Sequence, residues 1–411
     1  MISIKYNKSM TKSNTDKQKI QEILERGVAN IYPNKAFLEK ELASGKILSL
    51  YLGIDPTGPT LHLGHAIILA KLKQFQELGH KIILLIGDFT ATIGDPTDKT
   101  ATRQPLTREQ VLKNAKNYKK QAETFLKFTG TNKAELKYNG QWLAKMNFAD
   151  VLKLSSKFTV SQLLERDMFQ ARIKDGKAIG VHEFMYPILQ AYDSVAMNVD
   201  GELGGNDQTF NMLAGRTLVK SMQNREKFVL TMKLLTDVSG TKMGKSEGNM
   251  LSLDDSPKDM FGKVMSWTDD MIVNSFELCT TIPINNINQI AKDLKAGKNP
   301  RDYKFALAEK IVTIYYGDTT AKKTGEEFIK MFSKGGLPDD MPIVTITKKK
   351  INPIDLLVAL KFVSSNNEAR RLIDGGGMKI NNKKILSWKE DIIIKSSDII
   401  QAGKRKFVKI K

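Results

Sequence analysis

The clearest pattern of apolar and polar positions lies within residues 47–86. Residues 47–54 are mostly apolar and lead into a Pro- and Gly-rich turn, which is typical of a strand followed by a loop. Residues 63–78 carry apolar side chains at helical spacing, and Gly79 follows as a C-cap. Residues 82–86 are continuously apolar, like a strand buried on both faces. This succession predicts a βαβ unit, and hence a parallel sheet covered by helices.

The central part of the chain alternates between helical and strand patterns. Residues 108–180 are rich in helix-forming residues and predict a helical insertion between two halves of the sheet. Strand patterns return at residues 195–199 and 228–234. From residue 254 to about residue 332 the pattern is helical again.

The last part of the chain has a different pattern. Short helices are predicted at residues 354–360 and 366–374, then a strand at 378–380 that enters a turn at Asn381. The final residues alternate basic and apolar, as in an amphipathic strand. The predicted fold class is therefore α/β, with a Rossmann-like parallel-sheet domain, an α-helical domain and a small C-terminal α+β domain. The predicted segments are a flexible lead-in (1–20), the Rossmann-like domain (21–250, with its insertion at about 108–180), the helical domain (251–333), a linker (334–350) and the small domain (351–411).

Charge and cysteine content narrow the choice of partner and compartment. The formal net charge is +19 over 411 residues, which favours an acidic polymer as partner. An organism whose proteins are all basic would give the same charge. Cys279 is the single cysteine, so an intrachain disulfide is excluded and a reducing cytoplasm is expected. No apolar run approaches the roughly eighteen residues of a membrane span, and no secretory leader is expected.

The first candidate chemistry lies where the predicted loop after residue 54 enters a helix. A helix N-terminus offers free N–H groups and a positive dipole end to a phosphate. His62 and His65 are three residues apart there and share one face, while Gly64 leaves room for a ligand. Simple capping histidines are the alternative, and a zinc site would need a third ligand. A phosphate-binding P-loop is excluded because its motif is absent.

The second candidate is residues 240–248, where glycines flank Lys242 and Lys245. Two lysines three residues apart could converge on one triphosphate. A solvated Lys-rich loop is the alternative.

Together the two motifs resemble the signatures of class I aminoacyl-tRNA synthetases. They stand here as His62-Leu63-Gly64-His65 and Lys242-Met243-Gly244-Lys245-Ser246. Gly244 replaces the serine that is usual in the second signature, but both lysines are retained. The resemblance extends from about residue 21 to the end of the chain.

Four further stretches, residues 51–57, 93–97, 184–193 and 203–208, are similar to the bacterial tyrosine-specific enzymes of that class. The resemblance implies tyrosine activation by ATP, with Mg²⁺ accompanying the ATP. The residues it implies for tyrosine are Tyr51 and Asp193 at the phenol, Asp95, Tyr186 and Gln190 at the ammonium, and Gln208 near the carboxylate. Those it implies for ATP and catalysis are Gly53, Asp55, Thr57, His62, His65, Gly205, Asp207, Lys242, Lys245 and Ser246.

One part of this assignment also follows from spacing. Tyr186, Gln190 and Asp193 fall at i, i+4 and i+7, on one stripe of a helix. Such polar groups need partners when they are buried, and a bound amino acid would supply them. The alternative is a helix that packs through its apolar face and leaves these three in solvent.

The C-terminal pattern, residues 364–381 above all, resembles a small RNA-binding fold first described in a ribosomal small-subunit protein. By that resemblance Arg370, Arg371, Lys379, Lys383 and Lys384 line a surface for the tyrosine tRNA, although a solvated helix face is the alternative. The resemblance further implies a cytoplasmic homodimer. A tryptophan-specific relative and an RNA-binding or splicing helper on a synthetase scaffold remain alternative functions.

Overall fold

The computed structural model describes residues 12–97, 106–236, 250–333, 341–346, 350–403 and 406–411. The chain divides into two compact units, Met1–Ala321 and Lys322–Lys411. Within the described ranges, no helix combines the length and the apolar character needed to cross a membrane.

The first unit is built on a six-stranded sheet, and the predicted α/β fold with a parallel sheet is confirmed. The strand order is β1-β6-β5-β2-β3-β4. All neighbouring strands run parallel except β1, which pairs antiparallel with β6. The strands are β1 (Val28–Tyr32), β2 (Ser49–Ile54), β3 (Lys81–Ile86), β4 (Glu135–Tyr138), β5 (Gly201–Gly205) and β6 (Phe228–Met232).

The strand order determines where a ligand can bind. From β2 the chain continues to β3 and β4 on one side, and it then returns to place β5 and β6 on the other. The order therefore reverses between β2 and β5. In open α/β sheets, ligands bind at the carboxyl ends of the strands at such a switch point.

Helices surround this sheet and continue beyond it. The longest helix, α16 (Pro300–Ser333), begins in the first unit and continues past the last residue of that unit, Ala321. It contains a non-helical residue, Gly317, with φ of 80°. The helices are α1 (Lys17–Glu25), α2 (Lys35–Ala43), α3 (Leu63–Glu77), α4 (Thr90–Ile93), α5 (Arg108–Ala115), α6 (Tyr118–Ala122), α7 (Gly140–Leu143), α8 (Phe148–Ser155), α9 (Val160–Leu164), α10 (Asp167–Lys174), α11 (Val181–Ala196), α12 (Thr209–Gln223), α13 (Pro257–Met265), α14 (Met271–Cys279), α15 (Ile284–Lys295) and α16 (Pro300–Ser333), with a 3₁₀ turn at Asn206–Gln208.

Three strands differ from the predicted pattern. The prediction of a strand at residues 195–199 is wrong, because Val195 and Ala196 end α11 and the strand begins only at Gly201. The predicted helical insertion contains β4, a short strand that extends the sheet beyond β3. The edge strand β1 was not predicted, because its sequence, Val28-Ala29-Asn30-Ile31-Tyr32, lacks a clear alternation of apolar and polar residues.

The second unit has its own sheet and core. Five strands lie in the order β10-β9-β12-β13-β7, and β11 pairs with β8. Its core includes Leu356, Leu357, Ile373, Met378 and Ile400, all fully buried. The strands are β7 (Ile343–Val344), β8 (Lys350–Ile351), β9 (Met378–Ile380), β10 (Lys383–Lys384), β11 (Ile392–Ile393), β12 (Ile399–Ala402) and β13 (Lys406–Ile410), and the helices are α17 (Pro353–Ala359) and α18 (Asn366–Asp374).

Candidate active site

A cavity of about 550 Å³ opens at the carboxyl ends of β2 and β5, at the switch point of the sheet. Most of the site residues predicted in the first unit line this one cavity. They are Tyr51, Gly53, Asp55, Thr57, His62, His65, Asp95, Tyr186, Gln190, Asp193, Gly205, Asp207 and Gln208.

The start of α3 forms one end of the cavity. His62 is the N-cap, and its Nδ1 accepts a hydrogen bond from the Gly64 N–H at 3.1 Å. The His65 Nδ1 accepts from the His62 N–H at 3.2 Å, and the ring centroids are 3.9 Å apart. Because each Nδ1 is an acceptor, each neutral imidazole carries its proton on Nε2. The helix start therefore holds two N–H donors at the end of a positive dipole.

Close packing fixes this pair of rings. A Cβ at Gly64 would lie 3.0 Å from the His62 ring, so glycine allows the ring to lie against the backbone. Burial lowers the pKa of His65 well below its usual value, and the neighbouring His62 lowers it further. His65 is therefore neutral at physiological pH and acts as a donor without a charge.

Residues on either side of the lysine-containing motif (residues 240–248) also lie at this end of the cavity. Leu235 and Met250 line the cavity. The Leu63 N–H donates to the Leu251 carbonyl at 3.0 Å, and the Leu253 N–H donates to the Leu61 carbonyl at 2.9 Å. These bonds join the segment from residue 250 to the start of α3. The predicted residues between these flanks, Lys242, Lys245 and Ser246, lie outside the described residues.

Residues around β5 and the loop after β2 complete this end. A Cβ at Gly205 would lie 2.5 Å from the Asp207 Oδ1, so this carboxylate lies close over the strand backbone. Thr57 is exposed, and its N–H donates to the Asp55 carbonyl at 2.8 Å. Gly53, at the end of β2, is also exposed.

The other end of the cavity is formed by buried polar side chains of β2 and α11. Tyr51 is fully buried, and its hydroxyl lies 3.0 Å from the Ser194 Oγ. Asp193 accepts hydrogen bonds from the Trp142 Nε1 at 2.8 Å and from the Asn139 Nδ2 at 3.2 Å. Burial raises the pKa of both Tyr51 and Asp193 well above their usual values. For Asp193, the bonds from Trp142 and Asn139 oppose that rise.

The predicted stripe of α11 faces this cavity. The Tyr186 hydroxyl donates to the Asp55 Oδ2 at 3.0 Å, and the Gln190 Nε2 donates to the Glu202 Oε1 at 3.2 Å. The Gln190 Oε1 is a buried acceptor that has no hydrogen-bond partner among the described residues. A ligand that brings N–H donors would satisfy it.

Between the two ends lies Asp95, held from several sides. Its Oδ2 accepts from the Gln208 Nε2 at 2.8 Å, and its Oδ1 accepts from the Thr97 Oγ1 at 2.7 Å. The Arg166 Nη2 lies 3.7 Å from Asp95. Asp95 and Gln208, predicted for opposite ends of an amino acid's backbone, are thus direct neighbours.

A group of buried partners next to the cavity was not predicted, and one of them, Glu202, also lines it. Lys227 is fully buried, forms an ion pair with Glu202, and donates to the Ser194 Oγ at 2.7 Å. A signal was available in the sequence, because a charged residue directly before the apolar strand β6 needs a buried partner. The partner itself lies 25 residues away in the chain and could not be inferred from spacing.

In the second unit, the five predicted basic residues do not share one face. Lys379 lies directly opposite Lys384 in the β9–β10 hairpin, so their side chains share a face. Lys383 points to the other face because successive strand residues alternate. Arg371 is exposed on α18, and the exposed Arg370 places its guanidinium carbon 4.8 Å from the Trp388 ring centroid.

Comparison with known proteins gives family matches over most of the chain. A family model for class I tRNA synthetases (W and Y) matches residues 43–333, and one for the SYY-like C-terminal domain of tyrosine–tRNA ligases matches residues 334–410. Tyrosine–tRNA ligase 2 of Clostridium acetobutylicum is 44% identical over 394 residues, covering 95% of this chain and 97% of its own. The tyrosine–tRNA ligase of Thermotoga maritima is 44% identical over 391 residues, covering 95% and 96%.

A solved structure supports the same fold. It is a C-terminally truncated mitochondrial tyrosyl-tRNA synthetase from Aspergillus nidulans, which superposes with a TM-score of 0.64 at 22% identity. The superposition covers 76% of this chain and 94% of the other.

Proposed function

The chain belongs to the class I tRNA synthetases for tryptophan and tyrosine. From this premise we propose which residues of its cavity bind each part of the tyrosine and ATP substrates. The curated relatives match nearly the whole chain as tyrosine–tRNA ligases, so the chain attaches tyrosine to tRNA with ATP as a substrate. These relatives do not favour the tryptophan-specific alternative or the RNA-binding helper.

The phenol of the substrate binds between Tyr51 and Asp193 in this proposal. Both side chains are buried and polar, and Asp193 is a carboxylate held in place by Trp142 and Asn139. A substrate hydroxyl gives the carboxylate a further donor, whereas phenylalanine brings no hydroxyl to either group and excludes the water that could replace it. A site that is built to hydrogen-bond a hydroxyl strongly rejects an analogue that lacks it. Tyrosine-specific synthetases are the standard example of this selectivity against phenylalanine.

The ammonium of tyrosine binds near Tyr186, Gln190 and Asp95. The observation that carries this assignment is the buried, unpartnered Oε1 of Gln190, because an ammonium offers only donors. Asp95 supplies the opposite charge, and its neighbour Gln208 is next to the tyrosine carboxylate.

The reaction itself takes place toward the histidine end. The tyrosine carboxylate attacks the α-phosphate of ATP, pyrophosphate leaves, and the terminal ribose of tRNA then attacks the carbonyl of the adenylate. His62, His65, Lys242, Lys245 and Thr57 stabilise charge that develops on the phosphates. The remaining ATP contacts proposed are Gly53, Asp55, Gly205, Asp207 and Ser246.

We propose that Mg²⁺ accompanies the ATP and is held mainly by phosphate oxygens and water, the ligands that it prefers. In the parts of the chain that the structure describes, no three His, Cys, Asp or Glu side chains are grouped to hold a metal ion.

We propose that the chain works as a cytoplasmic homodimer. Large apolar side chains are exposed on the insertion helices, including Phe148 (76% exposed), Leu152 (55%) and Val160 (67%). Val181, at the start of α11, is 78% exposed. Large exposed apolar side chains on these helices support the proposal of an interaction surface there. In the second unit, we propose that Arg371, Lys379 and Lys384 contact tRNA phosphates, with Arg370 and Lys383 as further contacts.

The function is tested by ATP–pyrophosphate exchange with each standard amino acid, followed by charging of tRNA. Tyrosine is expected to support exchange far better than phenylalanine or tryptophan. Arg371→Gln is expected to weaken charging several-fold at moderate salt and to leave exchange unchanged. Lys395→Gln, an exposed lysine outside the proposed surface, is the matched control. Exchange that depends on another amino acid would contradict the proposal.

A further inference from the structure

A chain of hydrogen bonds leads from a buried ammonium to the phenol site. The Lys227 Nζ lies 2.7 Å from the Ser194 Oγ, and Ser194 lies 3.0 Å from the Tyr51 hydroxyl. The other acceptors around Lys227 are the Glu202 carboxylate and, at 3.4 Å, the Met212 carbonyl. The three N–H groups of the ammonium thus face three acceptors.

The Lys227 ammonium determines which group donates and which accepts in each of these hydrogen bonds. A lysine ammonium can only donate, so the Ser194 oxygen accepts from Lys227. Among the described residues, the remaining hydrogen-bond partner of the Ser194 hydroxyl is Tyr51. Ser194 therefore donates its own proton to the Tyr51 oxygen. The phenolic proton of Tyr51 is left for a different acceptor, either the neighbouring Glu202 carboxylate or a substrate hydroxyl.

We propose that Lys227 and Ser194 are positioning residues that orient the Tyr51 hydroxyl as a donor to the substrate hydroxyl, whose own proton goes to Asp193. The inference rests on the proposed phenol site and adds the direction of its hydrogen bonds. A phenol can both donate and accept, so two buried hydroxyls can pair in either sense. With Tyr51 held as the donor and Asp193 as the acceptor, only one arrangement of the substrate satisfies both.

The surroundings of Lys227 fit this role. A Cβ at Gly215 would lie 2.6 Å from the Lys227 Nζ, so glycine provides the space for the ammonium. Burial lowers the pKa of Lys227, and the Glu202 carboxylate opposes that effect. Glu202 also accepts from the Gln190 amide, so one ion pair supports both the phenol and the ammonium ends of the tyrosine site.

The test is Ser194→Ala, with exchange measured for tyrosine and for phenylalanine. Removing one neutral hydrogen bond is expected to lower kcat/KM for tyrosine about tenfold. The value for phenylalanine is expected to stay unchanged, because that substrate has no hydroxyl to receive the Tyr51 proton. An equal loss for both amino acids, or no loss for either, would overturn the proposal. Lys227 keeps its ion pair in this variant, and Ser194→Cys, with a weak donor of similar volume, serves if the alanine variant does not fold.

Tyr51→Phe and the double variant separate this inference from the phenol site itself. If the phenol site is right, Tyr51→Phe lowers the preference for tyrosine. We call the hydrogen bonds from Lys227 through Ser194 to Tyr51 the relay. If the relay also orients Tyr51 as proposed, Ser194→Ala causes no further loss in the Tyr51→Phe variant, because both substitutions interrupt the same series of hydrogen bonds. A preference that falls with Tyr51→Phe but not with Ser194→Ala would overturn the relay alone, and one that Tyr51→Phe leaves unchanged would overturn both. The matched control is Ser275→Ala, since Ser275 is fully buried, lies outside the cavity, and has no hydrogen-bond partner among the described residues.

Discussion

The two ends of the active-site cavity are built in different ways. At the tyrosine end, Tyr51 and Asp193 are each held by side chains from distant parts of the sequence, such as Ser194, Trp142 and Asn139. At the phosphate end, His62 and His65 are held by backbone N–H groups within one turn of α3. In the proposed assignment, specificity thus depends on long-range packing, whereas charge stabilisation depends on a local helix start. Substitutions at the two ends should therefore change different kinetic constants.

The largest effect is expected at the phosphate end, from His62→Asn. Asparagine is a good N-cap, so the helix start is retained while the Nε2–H donor is lost. Loss of one preorganised donor is expected to slow tyrosyl-adenylate formation roughly a hundredfold. Stopped-flow measurement gives this rate, and equilibrium binding gives the affinity for tyrosine, which should be unchanged. His182→Asn, an exposed histidine outside the cavity, is the control. A weaker affinity for tyrosine in His62→Asn would contradict the division between the two ends.

A smaller effect is expected at the tyrosine end, from Asp193→Asn. The amide keeps the shape of the side chain but replaces one of the two carboxylate oxygens, so an acceptor for the substrate hydroxyl is lost. A loss of about 2 kcal/mol corresponds to a fall of about thirtyfold in kcat/KM for tyrosine. Phenylalanine should be affected far less, so the ratio of the two values in pyrophosphate exchange is the measurement. Asp175→Asn, which removes an exposed carboxylate, controls for charge, and an unchanged ratio would remove Asp193 from the phenol site.

The smallest effect is expected from Gly64→Ala. The added methyl would meet the His62 ring at 3.0 Å, so the ring must move by a few tenths of an ångström. We expect adenylate formation to slow about threefold, because a small misplacement of a catalytic group reduces its contribution. Thermal stability should not fall, since alanine favours the helix over glycine. A rate like that of the unmodified chain would show that the ring position tolerates this shift.

The sequence was sufficient where the signal is local. The βαβ unit around α3, the helix at residues 366–374 and the stripe of α11 all depend on periodicity within one element, and the structure contains each of them. The predicted site residues that the structure describes in the first unit also converge on one cavity, because most of them lie near the carboxyl ends of parallel strands or on the helix facing them.

The sequence failed where a contact between distant residues decides the structure. β5 contains three glycines, which disfavour a strand on propensity alone. Its glycines are explained by neighbours, since a Cβ at Gly201 would lie 2.1 Å from the Phe228 ring. In the same way, no pattern connects Lys227 with Ser194, which lies 33 residues earlier. Such pairings become visible only when the strand order is known.

The switch point between β2 and β5 also affects the order in which the two halves of the sheet can form while the chain is being synthesised. β2 and β3 are close in sequence, whereas Leu50 of β2 pairs with Gly201 of β5. Closing that long connection costs more chain entropy than closing the short one. During synthesis, the first half of the sheet is made while one edge of β2 still lacks its partner strand. The proposed tyrosine pocket therefore cannot be complete until the chain has been synthesised past Gln208. A nascent chain that ends between His65 and β5 contains both histidines of the proposed phosphate end but no complete site for the amino acid.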